Sequence, residues 1–282
     1  MGDVGTALSV EPGDPDPLAG RDPGSIAGGP GDRAATEAAT AALTERLAEL
    51  QGRLWAERRR SLLVVLQGID TSGKDGTISH VFRGLNPLGL RVASFRAPTE
   101  TELAHDILWR VHAQSPAAGE IGLFNRSHYE DVLVVRVRKL VAPDVWRARY
   151  GHINAFEALL ADAGTTVVKV FLHLSKKEQR QRLDARLEDP TKAWKVQASD
   201  FDDRKLWAPY ARAFEEMLTE TSTARAPWFV VPADHKWFRN WAVANLLTET
   251  LEAMDPRPGR APRVAQRSAE SPPSTASTWP VT

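Results

Sequence analysis

The stretch Ser61-Leu-Leu-Val-Val-Leu-Gln-Gly-Ile-Asp-Thr-Ser-Gly-Lys-Asp-Gly-Thr77 decides the fold. Its opening run is almost continuously apolar, which is how a strand buried on both faces of a parallel sheet reads. The following Gly68-Ile69-Asp70-Thr71-Ser72-Gly73-Lys74 has the G-x-x-x-x-G-K spacing of a phosphate-binding loop. Glycines let such a loop turn so that successive backbone N–H groups face one anion, and the helix start and the Lys74 ammonium add positive charge. A helix is expected from Lys74 to about Gly84.

Gly68, Thr71, Ser72, Gly73, Lys74, Asp75, Gly76 and Thr77 are therefore the candidate phosphate-binding residues. Asp75 stands where a Ser or Thr hydroxyl usually meets Mg²⁺. Thr77 could supply that hydroxyl, or a carboxylate could hold the metal; an acid at Asp75 also simply favours the helix dipole. Asp70 is the better metal candidate. An acid among groups meant for phosphate repels the ligand unless a cation lies between them, and Mg²⁺ takes carboxylate and phosphate oxygens together. Its alternative reading is an aspartate capping its own loop.

Outward from the loop, strands alternate with helices. Apolar periodicity predicts helices over 35–57, 100–113, 129–140, 144–162, 175–188, 199–221 and 236–254. Further strands are expected over 91–95, 121–124, 166–174 and 228–231. The expectation is an α/β fold, a five-stranded parallel sheet flanked by helices, with ligands at the carboxyl ends of the strands.

The third strand runs into Asn125-Arg126-Ser127-His128-Tyr129-Glu130-Asp131, seven polar residues where an apolar strand ends. Arg126 suits bidentate phosphate binding. Glu130 and Asp131 serve either the site or the dipole of the helix they open. Arg136, nearer by helical spacing to the core face marked by Val132 and Val135, is preferred over Arg138 as the inward arginine. The sequence lacks the N-K-x-D of GTPases and carries Asn125 where a typical P-loop ATPase has an acid. After the fourth strand, Lys176, Lys177, Arg180, Arg182, Arg186, Lys192 and Lys195 surround a break at Asp189-Pro190, the place of a closing lid over about 176–205. The competing reading is a solvated, salt-bridged helix.

Composition narrows the remaining classes. Thirty-six basic residues balance thirty-six acids, so bulk attraction to nucleic acid or membrane is not expected and any anion site is local. The absence of cysteine excludes disulfides, Cys-zinc sites and thiol nucleophiles. No run approaches a membrane span and the start does not read as a signal peptide, so a cytoplasmic protein is expected. Residues 1–32 hold eight Gly and five Pro, with six acids against Arg21 alone; 256–282 hold six Pro and seven Ser/Thr, with four Arg against Glu270. Both are expected to be disordered tails around one α/β domain with a lid at 33–255. The aromatics and histidines read mostly as core.

Together, Leu66–Thr77, Phe124–Val134, Leu174-Ser-Lys-Lys-Glu-Gln179 and Pro232-Ala-Asp-His-Lys-Trp237 resemble the polyphosphate kinase 2 family over roughly 35–255. The Asn-Arg-Ser-His-Tyr-Glu-Asp form is similar to the branch that phosphorylates both nucleoside mono- and diphosphates. The resemblance implies a thymidylate-kinase-like P-loop fold with a helical lid. It also implies Mg²⁺-dependent phosphoryl transfer from inorganic polyphosphate to AMP or ADP, and GMP or GDP as further acceptors. Asp70, Lys74, Arg126 and Asp131 would be catalytic, with Asp70 and Asp131 on the metal. Asn125, Arg126, Ser127, Glu130, Asp131 and Arg136 would meet the nucleotide, and the lid cations the polyphosphate. A homo-oligomer, dimer or tetramer, is expected. The alternatives are an ATP-dependent nucleoside monophosphate kinase on the same fold and a non-catalytic polyphosphate or nucleotide binder.

Overall fold

A computed structural model describes residues 2–191 and 204–258. Five strands, β1 (Ser61–Gln67), β2 (Leu90–Ser94), β3 (Ile121–Asn125), β4 (Thr165–His173) and β5 (Trp228–Pro232), form one parallel sheet in the order β2-β3-β1-β4-β5. All five strands lie within about two residues of their predicted bounds.

Strand β1 is buried along its whole length because it is central and covered on both faces. Its alternate residues divide between two cores. Leu62, Val64 and Leu66 pack with Leu47, Leu50 and Leu54 of α2 (Arg33–Glu57) and with Trp241, Leu246 and Leu247 of the final helix Lys236–Met254. Leu63 and Val65 pack on the opposite face with Ile153 and Phe156 of the helix Pro143–Asp162 and with Phe214 and Met217 of the helix Trp207–Thr221. The chain leaves β1 for β2 on one side and later crosses from β3 to β4 on the other. That reversal opens a crevice at the carboxyl ends beside β1. The register Leu66↔Asn125 brings the loop after β1 next to the motif after β3.

Two expectations are corrected. The helix expected over 100–113 is two four-residue pieces, α4 (Glu100–Leu103) and α5 (Trp109–His112). Asp106 Oδ1 accepts the Leu108 N–H, so a side-chain turn replaces continued helix. Residues 2–32 are not a disordered tail. They open with α1 (Asp3–Leu8) and run along β5, an edge strand. Ser9 bridges Phe229 antiparallel, Val10 N–H donates to Trp228 O at 2.9 Å, and Val10 is 1% exposed. Val4 and Leu8 pack on the core. A Gly/Pro-rich composition concealed these few apolar anchors, and the benefit of covering an edge strand is not visible locally.

The remaining helices are α3 (Lys74–Val81), α6 (Glu130–Val137), α7 (Pro143–Asp162), α8 (Lys176–Glu188), α9 (Trp207–Thr221) and α10 (Lys236–Met254). Lys192, Lys195 and most of the basic tail lie outside the described residues. No described helix is long and apolar enough to cross a membrane.

Candidate active site

The loop between β1 and α3 has its carbonyls engaged one after another. Lys74 Nζ donates to Gly68 O at 2.6 Å and Ile69 O at 3.3 Å. Gln179 Nε2 donates to Asp70 O at 3.3 Å. Arg182 Nη1 donates to Thr71 O at 3.0 Å and Ser72 O at 3.1 Å, and Arg239 Nη1 reaches Ser72 O at 3.3 Å. Five consecutive acceptors are thus held by the protein's own donors. What remains for a ligand is N–H and cationic character, the requirement of an anion cradle. Gly73, at φ +104°, has room for no side chain: a Cβ there would overlap the Arg239 guanidinium. Gly68 is equally confined, since a Cβ would lie 2.9 Å from Leu172 O. The hydroxyls of Thr71 and Ser72 are buried without a hydrogen-bond partner.

Lys74 is 8% exposed, and burial pushes its pKa down to about 8, with Arg126 adding to the effect and Asp70, Glu130 and Asp75 opposing it. Arg126 sits at φ +63° at the mouth of β3. Its guanidinium lies between two carboxylates, 2.5 Å from Asp70 Oδ1 and 3.6 Å from Glu130 Oε2. Burial pushes the Glu130 carboxyl up, against the pull of Arg126 and Lys74. Gln67 Nε2 ties Glu130 to Ser127, and Asn125 Nδ2 donates to Asp75 Oδ1 at 2.7 Å.

Several expected site residues lie apart from the Asp70–Arg126 group. Asp131 does not share the Asp70 cluster; it faces Arg149 at 3.3 Å and Arg110 at 3.9 Å. Ser127 and Thr77 are fully buried, bonded to Tyr129 N and Gly73 O respectively, and face the interior rather than a ligand. Arg136 points into the packing of α6, α7 and α9, 2.7 Å from Glu216 and over the Trp146 ring, while Arg138 lines the cleft. Spacing identified the inward arginine correctly, but inward here means away from the crevice. Of the described lid cations, Arg182 and Arg186 line the cleft. Arg182 is 7% exposed and anchors the loop from below, and Lys176, Lys177 and Arg180 are exposed on the other side of α8, with Arg180 paired to Asp184.

Arg239 was missed. Its signal was there: one arginine amid the apolar run Trp237–Leu247 of α10, where a buried charge needs a reason. Arg33, Arg83, Arg96, Arg110 and Arg149 also reach the cleft and carry no local signature.

The cleft encloses about 2440 Å³, and among the described residues twelve arginines and lysines line it against seven carboxylates. A chain with no net charge has therefore concentrated positive charge around the phosphate loop. The volume is well beyond the roughly 300–1,000 Å³ of one small-molecule pocket. Among the described residues no three His, Asp or Glu side chains converge as a metal cluster.

The polyphosphate kinase 2 family model matches residues 31–258. The chain belongs to the polyphosphate kinase 2 family. The AMP/ADP-polyphosphate phosphotransferase of Meiothermus ruber is 55% identical over 233 residues, spanning 83% of this chain and 87% of that protein. The ADP-polyphosphate phosphotransferase of Rhodopseudomonas palustris is 44% identical over 226 residues, spanning 74% and 77%. A crystal structure of polyphosphate kinase 2 from Arthrobacter aurescens TC1 superposes with a TM-score of 0.89 at 44% identity, covering 92% of this kinase and 93% of that chain.

Proposed function

We propose that this kinase moves the terminal phosphoryl group of inorganic polyphosphate onto a nucleoside mono- or diphosphate, AMP and ADP first, with Mg²⁺. The observation that carries the reading is the anion cradle at the floor of a large cationic cleft. Support for the acceptors comes from relatives that act on AMP and ADP and from a GDP-polyphosphate phosphotransferase of Mycobacterium tuberculosis, 35% identical over 202 residues.

Phosphoryl transfer requires two strongly anionic substrates to be aligned and the moving group's charge to be neutralised. The loop N–H groups and Lys74 bind the donor's terminal phosphates, and Lys74 leaves its two carbonyl partners to do so. Arg126 and the cations lining the cleft hold the acceptor phosphate in line. Asp70 and Glu130, the pair that already brackets the Arg126 cation, fit a divalent ion, since Mg²⁺ is commonly held by one or two carboxylates plus phosphate oxygens. When bound there, Mg²⁺ would neutralise charge on the transferring oxygens. Asp131, already between two arginines, is not needed for it.

The test is incubation of AMP, ADP, GMP and GDP with polyphosphate and Mg²⁺ in the absence of ATP. Polyphosphate-dependent appearance of the next nucleotide is expected; phosphorylation only when ATP is supplied would make the chain an ATP-dependent nucleotide kinase instead.

Two arginines of α8 separate by their placement. Arg182→Ala lowers kcat by about tenfold or more, because the cradle loses its support and misplacement by about 1 Å can cost a hundredfold. Arg186→Ala raises the polyphosphate KM several-fold with kcat little changed, the loss of a peripheral contact. Steady-state kinetics check both, and the reverse ranking would move the donor path away from Arg186.

A further inference from the structure

We infer that residues 2–30 are a working part of the catalytic apparatus: an N-terminal strap that fixes the phosphate loop through the turn after β5. The inference rests on the function proposed above and adds positioning residues to it. The strap lies outside the residues matched by the family model.

The connection runs through few groups. Pro23 O accepts the Asp234 N–H at 3.1 Å, and Arg21 O lies 3.2 Å from His173 Nε2 at the carboxyl end of β4. Asp234 is the hub. Its carboxylate Oδ1 accepts the Ser175 N–H at 2.8 Å, at the N-cap of α8. Its carbonyl, at 2.9 Å, and that of Ala233, at 2.6 Å, accept from Arg182 Nη2. The other arm of the same guanidinium, Nη1, holds Thr71 O and Ser72 O. One peptide unit and one arginine therefore separate the strap from the cradle.

The strap is itself locked. Arg21 donates to Leu8 O at 3.1 Å, Ala7 O at 3.3 Å and Ser9 O at 2.5 Å, folding the segment back on α1. Ser222 Oγ donates to Val10 O at 2.6 Å, and Gly2 N–H to Glu249 Oε2 at 3.0 Å. Near Gly29 the strap passes so close to Phe238 that a Cβ would lie 3.0 Å from the ring.

The physical consequence follows from Arg182. A buried guanidinium keeps its position only while its acceptors stay fixed. Without the strap, the Asp234 N–H loses its partner and the Ala233–Asp234 turn loosens. Arg182 then loses its reference; the Thr71 carbonyl is free to turn toward an incoming phosphate and repel it, and the Ser72 carbonyl keeps Arg239 alone. The strap thus acts on the loop, at a distance from any substrate, as a positioning element.

The experiment compares the full chain, Arg21→Ala, Arg21→Lys and a chain that begins at residue 31, each with polyphosphate and ADP. Thermal melts first establish which are folded at the assay temperature. Arg21→Ala and the shortened chain are expected to lose at least about tenfold in kcat, with the ADP KM within about twofold, the pattern of a misplaced loop. Arg21→Lys recovers part of the loss, and a synthetic peptide of residues 2–30 added in trans recovers activity of the shortened chain. Hydrogen exchange in Arg21→Ala rises at residues 68–74 while amides of β1 and β4 stay protected. Folded variants with unchanged kcat, or a loss in Arg21→Ala accompanied by uniform exchange across the sheet, would overturn the inference. An inactive full chain would instead sink the proposed function, so the two failures are distinguishable.

Discussion

Lys74→Ala lowers turnover by at least about a hundredfold, the scale of removing one preorganised electrostatic partner from a transferring group. The side chain is nearly inaccessible, and its ammonium is held by two loop carbonyls rather than by a carboxylate. It is therefore poised to exchange weak neutral partners for phosphate oxygens. The same geometry sets a pH dependence. Because burial brings the Lys74 pKa down to about 8, the free kinase loses this charge as pH rises through that value. The alkaline limb of kcat/KM for polyphosphate is expected there. A bound phosphate favours the ammonium and raises its pKa, so the limb of kcat lies at higher pH. Melting temperatures of mutant and wild type should be close, since no buried carboxylate is left without its only partner. Near-normal turnover in Lys74→Ala, or coincident alkaline limbs, would remove Lys74 from the chemistry.

Lys169→Met destabilises the fold by about 3–5 kcal/mol, the usual cost of removing one member of a buried ion pair. Lys169 is fully buried in β4 and donates to Glu157 Oε2 at 2.6 Å, Tyr129 OH at 2.9 Å and Thr221 O at 2.5 Å. Glu157 Oε1 in turn accepts from Tyr129 OH at 2.7 Å and lies 3.3 Å from His128 Nε2. Burial alone pushes the Glu157 carboxyl up, but Lys169 and His128 more than offset it, so it stays below the ordinary carboxylate value. Removing the lysine strands that charge. Replacing both residues, Lys169→Met with Glu157→Leu, should cost less than the single change, because no uncompensated charge remains. Urea unfolding of the single and double variants measures the difference; a loss below about 1 kcal/mol in the single variant would mean that the pair is not ionised in the fold. The cluster also explains His128 and Tyr129. They root the segment that carries Arg126 and Glu130, so the motif after β3 is half site and half foundation.

Much of this was legible locally. An unbroken apolar strand followed by a glycine-spaced loop and lysine leaves few alternatives, because strand burial, turn geometry and anion binding all act within one short stretch. The strands were likewise readable from β-branched apolar runs. Convergence was legible where a motif sits on a strand end, as with Asp70, Lys74 and Arg126, which lie side by side. It was not legible where residues distant in sequence converge. Glu130 rather than Asp131 shares Arg126 with Asp70 because a helix turns neighbouring side chains by about 100°, and only the docking of α6 decides which one meets that arginine.

The sequence by itself determined the parallel α/β sheet, the phosphate cradle and its lysine, since each depends on contacts between near neighbours. Only the tertiary structure decided that Arg182 and Arg239 hold that cradle, that Arg136 pairs with Glu216 away from the cleft, and that residues 2–30 run back along the edge strand β5. Those outcomes depend on how helices and an edge strand meet across the sheet, and a one-dimensional pattern carries periodicity but not the partner that a buried charge will find.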